Sequence, residues 1–124
     1  MTTGTVSIEH CGRTTAASVV AFDIRWSGEL PVDREVTWAV RVASEDVNGQ
    51  VELGHRRSGA GTSQYALDLA SGRRQEVAVD ADLQEDGITV RFPADVVGLA
   101  VEWPTWRAVI TVDGEDVASV AVTI

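Results

Sequence analysis

Apolar and polar positions alternate with a period of two along nearly the whole chain, the pattern of strands that bury one face. In "VVAFDIRW", Val20, Phe22, Ile24 and Trp26 share a face opposite Ala21, Asp23 and Arg25. In "EVTWAVRV", Val36, Trp38, Val40 and Val42 lie together against Thr37, Ala39 and Arg41. Tyr65, Leu67 and Leu69 alternate with Gln64, Ala66 and Asp68; Val77, Val79, Ala81 and Leu83 alternate with Glu76, Ala78, Asp80 and Asp82. Ile88, Val90 and Phe92 repeat the pattern, as do the shorter runs Val6/Ile8 and Val51/Leu53. Between these runs lie turn-forming segments, "SGELPVD" (27–33), "EDVNGQ" (45–50), "SGAG" (58–61), "ASGRR" (70–74), "QEDG" (84–87) and "VDGED" (112–116). Their Gly, Asp, Asn and Pro residues supply positive φ angles and local hydrogen bonds. Asp113-Gly114, between two alternating runs, is the strongest hairpin signal. Only "PADVVGL" (93–99) suits a helix, and only for one turn.

These patterns predict an all-β fold: one antiparallel β-sandwich domain spanning 1–124, of about nine strands, immunoglobulin-like or jelly-roll in appearance. Because most connections are short hairpins, a closed up-and-down β-barrel is the alternative. At 124 residues the chain is long enough to bury a core without staples. No segment approaches the ~20 apolar residues of a membrane span. "MTTGTVSIEHCGRTT" lacks the basic start and apolar run of a signal peptide, so the expectation is a cytoplasmic protein or an exported one whose signal has been removed. The single Cys11 excludes an intrachain disulfide and favours a reducing compartment.

Charge narrows the partners. The ten basic residues are all arginine, a bias that a GC-rich genome produces, and no lysine is present for Schiff-base or P-loop chemistry. A net charge of −9 with scattered arginines argues against nucleic acid. The pairs Arg56-Arg57 and Arg73-Arg74 are able to contact acidic ligands, although each sits at a strand end or turn, where a solvated charge is the ordinary reading.

The tryptophans divide by position. Trp106 shares a face with Ala108, Ile110 and Val112, and Trp26 and Trp38 also fall on apolar faces, which places all three in the core. A tryptophan in the middle of an early strand resembles the immunoglobulin-like β-sandwich superfamily at the level of architecture, and implies an indole filling the space between two sheets. The flanking cysteines of true immunoglobulin domains are absent. Trp103, in "WPTW", precedes Pro104 outside any strand: it either caps the core rim, its N–H finding a carbonyl, or stands out as a recognition platform with Glu102 and Arg107 as polar neighbours.

Candidate chemistry is sparse. His10 and Cys11 are adjacent and point to opposite sides of an extended chain; His55, on the parity of Val51 and Leu53, is left as a conceivable partner for Cys11 across the fold. The cysteine and two histidines lack zinc spacing. Asp80, Asp82, Glu85 and Asp86 are candidate calcium ligands, against the ordinary reading of a charged surface that guards a sheet edge. No cofactor is expected. The resulting expectation is a non-catalytic module that binds a protein or glycan through loops or a sheet face; if their strands are neighbours, Ala39, Ala66 and Ala78 make a flat patch suited to docking or self-association. The alternative is a barrel that binds a small hydrophobic ligand, as a shape-driven isomerase or cyclase.

Overall fold

The computed structural model describes residues 6–46 and 48–123; the first five residues, part of the stretch read for a leader, and Val47 of the 45–50 turn lie outside the described residues. Among the described residues ten strands form: β1 (Ser7–Ala16), β2 (Val19–Ser27), β3 (Val36–Ala43), β4 (Gln50–Ser58), β5 (Gly61–Asp68), β6 (Arg74–Val77), β7 (Ala81–Leu83), β8 (Gly87–Pro93), β9 (Thr105–Val112) and β10 (Glu115–Ala121). Between β8 and β9 the chain makes one helical turn, α1 (Ala94–Val97), and a 3-10 turn (Gly98–Glu102), as Pro93 and Gly98 at its ends favour. The strands make two antiparallel sheets, one of four in the order β1-β2-β8-β7 and one of six in the order β10-β9-β3-β4-β5-β6. The all-β sandwich is therefore present, and the closed up-and-down barrel is not.

One side of the sandwich is stitched. Thr123 bridges Gly12 in parallel, with Arg13 N–H donating to Thr123 O (3.1 Å) and Thr123 N–H to Cys11 O (2.8 Å). The core lies between the sheets, where Trp26 and Trp38 meet at 5.6 Å between ring centroids and Phe22 contacts Trp106 at 5.8 Å and Phe92 at 6.3 Å. Val20, Val36, Val40, Leu53, Ile88 and Ile110 close around them. Each such side chain contributes roughly 1.5–3 kcal/mol by leaving water. The predicted Asp113-Gly114 hairpin is realised: φ is 51° at Asp113 and 84° at Gly114, the two positive values that a twist-matched two-residue turn needs.

Two readings of the alternation are corrected. First, β5 is inverted: Gln64 and Ala66 face the core, while Tyr65 lies on the outer face and Leu69 is exposed. The cause is the hairpin. The turn at 59–60 pairs Ser58 with Gly61, which sets Gln64 opposite His55 and Ala66 opposite Leu53. Turn length fixes register, and register overrides the hydrophobicity of individual residues. The proposed patch of Ala39, Ala66 and Ala78 therefore does not exist, since Ala39 lies on the outer face and Ala66 inside. Outside, the Tyr65 ring covers Gly54 so closely that a Cβ at Gly54 would overlap Cζ and Oη.

Second, the run from Val77 to Leu83 is two strands, not one. The chain leaves the six-stranded sheet after Val77 and joins the four-stranded sheet at Ala81. Gln64, 1% exposed, makes this crossing possible. Its Oε1 accepts from Asp80 N–H (2.9 Å) and lies 3.0 Å from His55 Nδ1; its Nε2 donates to Arg91 O (3.2 Å) and, at the limit, to Ala78 O (3.5 Å). A backbone that leaves a sheet needs new partners for its polar groups, and a buried amide offers both donor and acceptor.

Candidate functional site

The turn between β1 and β2, the β3–β4 loop, the β5–β6 turn and the α1/3-10 segment converge at one end of the sandwich, and the "WPTW" corner belongs to it. Trp106 is core: its Nε1–H donates to Trp103 O (2.6 Å), Phe22 lies on its inner side, and the Arg13 guanidinium sits 4.4 Å from its ring centroid. Trp103 is half-buried and acts as a cap. Its six-membered ring lies over Gly49, where a Cβ would come within 2.7 Å of Cη2. Beneath it Ser44 organises the loop, donating from Oγ to Asp46 Oδ1 (2.8 Å) and accepting from Gly49 N–H (2.9 Å). The Ser44 hydroxyl, followed by Asn48 N–H donors, holds the Asp46 carboxyl below its usual range. Glu102 is exposed beside Trp103. Arg107 is not gathered with them: it lies on the face of β9 opposite Trp106 and donates to Ser119 Oγ (2.9 and 3.2 Å).

The four carboxylates considered for calcium are not gathered either. Asp80 and Asp82 grip the two ends of the Arg91 guanidinium (3.0 and 2.8 Å), and Asp86 lies 4.0 Å from Arg25. The charge that a divalent cation would neutralise is thus met by an arginine. Among the described residues, no group of three or more His, Cys, Asp or Glu side chains is placed to hold a metal ion.

Of the groups with nucleophilic or acid–base chemistry, Cys11 and His55 are buried, whereas His10 is exposed. Burial, with a contribution from Asp23, pushes the Cys11 thiol up to about 12. His55, 4% exposed, is lowered by burial against a smaller opposing effect of its Gln64 bond, and packs 6.0 Å from Trp38. Gln64 Oε1 has only lone pairs to offer, so His55 carries its proton on Nδ1. Cys11 pairs with Ile24 in the four-stranded sheet while His55 lies in the six-stranded one, bonded to Gln64, and the Cys11–His55 pairing considered from sequence is not made. Tyr65 is raised by burial and by its bond to Glu52 Oε2 (2.7 Å).

What remains open at this end is a groove of about 520 Å³ lined by Val51, Ala66, Asp68, Arg73, Arg74, Gln75 and Val96. Its origin is a mismatch between the sheets. β7 pairs only with Ile88–Val90, so no fourth strand continues alongside β8 as it runs on to Pro93. The inner face of β5 and β6 near Ala66 and Gln75 is left without a strand above it, and α1 walls one side through Val96. Nine of the ten arginines have a carboxylate, carbonyl, hydroxyl or ring against the guanidinium. Arg73, at the mouth of this groove, has none among the described residues. The sequence pair Arg73-Arg74 carries no signal that tells the paired member from the free one: Arg74 is held by Glu76 (2.7 Å) and lies 4.2 Å from the Tyr65 ring centroid.

No protein-family model matches the chain, and neither a curated protein nor a solved structure matches it significantly. Among the described residues, no helix is long and apolar enough to cross a membrane.

Proposed function

We propose that the chain is a non-catalytic interaction module, immunoglobulin-like in general architecture, that recognises another protein at the groove between β4–β6 and α1. The observation that carries this reading is the groove itself, where an uncovered sheet face with small apolar residues meets an unpaired arginine. Binding sites combine apolar area with a few polar groups that fix orientation, and this end offers both. The position of Trp38 between the sheets supports the architectural part. The alternative of a small hydrophobic ligand held inside a barrel loses its basis, because the interior is filled by Trp26, Trp38, Phe22 and Phe92.

The test is affinity capture from the source cell with three baits: the wild type, Gln75→Trp to fill the groove, and Arg107→Glu on the outer face. Partners retained by the wild type and Arg107→Glu but lost by Gln75→Trp support the assignment. Partners held equally by Gln75→Trp and lost with Arg107→Glu move the site to the outer sheet face and sink it.

A further inference from the structure

We infer that the groove takes the carboxyl-terminal end of an extended peptide. The terminal carboxylate sits on Arg73, the last side chain lies on Val51, Ala66 and Val96, and the main chain passes over the inner face beside Gln75. This inference rests on the reading of the groove as the binding site and adds the chemistry of its occupant.

The carboxylate follows from Arg73. In a chain of net charge −9, acceptors are abundant, and the other nine arginines have each reached one or another partner. A guanidinium offers a planar fork whose geometry matches a carboxylate. Its position is set by the turn: Asp68 N–H donates to Arg73 O (2.8 Å), Gly72 N–H to Asp68 O (2.7 Å), and Asp68 Oδ1 accepts from Ala70 and Ser71 N–H (3.0 and 3.3 Å). The Asp68 carboxylate thus organises the turn that presents Arg73. It also lines the groove, so a ligand with several negative charges is repelled there while a single carboxylate on Arg73 is accommodated.

The apolar part follows from the floor and wall. Val51 and Ala66 are small, Val96 closes one side, and together they suit a short aliphatic side chain rather than an aromatic one. The main chain follows from the remaining wall. Gln75 pairs with Ala66, so its side chain turns onto the same inner face and lines the groove. A peptide whose last residue fills the floor beside Arg73 passes over this face next to Gln75, whose amide offers a donor and an acceptor to its last peptide group.

The test uses the whole protein, labelled with ¹⁵N and titrated with N-acetyl tripeptides ending in Ala, Val or Leu, each with a free carboxyl and as its amide, and with isovalerate alone. The expected result is saturable shifts of the backbone amides of residues 66–77 and of Arg73 Nε. The amides should bind at least tenfold more weakly, Arg73→Gln should lose at least tenfold, and Arg107→Gln should bind as the wild type does. Equal binding of acid and amide overturns the carboxylate assignment but leaves the groove as a site. Isovalerate binding as tightly as the peptides assigns the groove to a small carboxylate and overturns the peptide. Absence of saturable shifts overturns the inference outright. Shifts confined to the outer sheet faces overturn it together with the functional reading beneath it.

Discussion

Replacing Gln64 by Met tests whether one buried amide holds the chain crossing in place. Methionine keeps the length and approximate volume of glutamine, so the cavity contribution is small. What is lost is hydrogen bonding: three bonds of good length, to the His55 ring, Asp80 N–H and Arg91 O, and a marginal one to Ala78 O. Asp80 N–H and Arg91 O are only part-buried, while the His55 bond is buried; at about 1 kcal/mol for each bond, the usual net value, the total is about 3 kcal/mol. For 124 residues the unfolding entropy near the midpoint is about 0.26 kcal/mol per kelvin, so Tm should fall by about 12 °C. Calorimetry gives the midpoint, and amide hydrogen exchange gives the location, because the Asp80 amide loses its acceptor and should exchange much faster than the amides of β3. A Tm within about 3 °C of the wild type, with Asp80 still protected, would refute the reasoning and show that the crossing is held by other contacts.

Two further outcomes follow from the same geometry. The buried His55 imidazole is lowered by desolvation, so the unfolded chain binds its proton more readily: stability is complete above the ordinary histidine value of about 6.5 and declines as the pH falls below it. The His55 ring protons followed by NMR should titrate below that value, and titration at or above it would show that the ring reaches solvent. Trp103 is the most exposed of the four tryptophans, so Trp103→Phe should abolish the acrylamide-quenchable, red-shifted part of the fluorescence, whereas an unchanged quenching profile would place the accessible indole elsewhere.

Alternation makes the fold class and the inward placement of Trp26, Trp38 and Trp106 legible in the sequence, and Gly, Asp and Pro positions add the Asp113-Gly114 hairpin and the helical turn after Pro93. Alternation fails at β5 for a definite reason. Period two says which residues share a face, and Tyr65, Leu67 and Leu69 outweigh Gln64 and Ala66 in hydrophobicity, yet the two-residue turn at 59–60 decides which set points inward. Gln64 then looks like a residue on the wrong side until its bonds to the crossing segment are seen. Local rules are expected to break where a fold does something other than repeat itself.

That break and the groove have one cause. By binding the backbone at Ala78 and Asp80, Gln64 brings the chain across to the four-stranded sheet so that β7 pairs beside Ile88–Val90, toward the far end. A straight continuation of β6 would have lengthened the six-stranded sheet and left β8 as an edge. A longer β7 would have covered Gln75 and Ala66. The short, displaced β7 does neither, so the inner face of β5–β6 stays open where α1 and Arg73 meet it. None of this is visible in a single strand's pattern, because it depends on where one strand stops relative to strands of the facing sheet. A glutamine predicted to face solvent is in this way the residue that shapes the groove, and Gln64→Met should loosen the groove's β6 wall along with the crossing that it anchors.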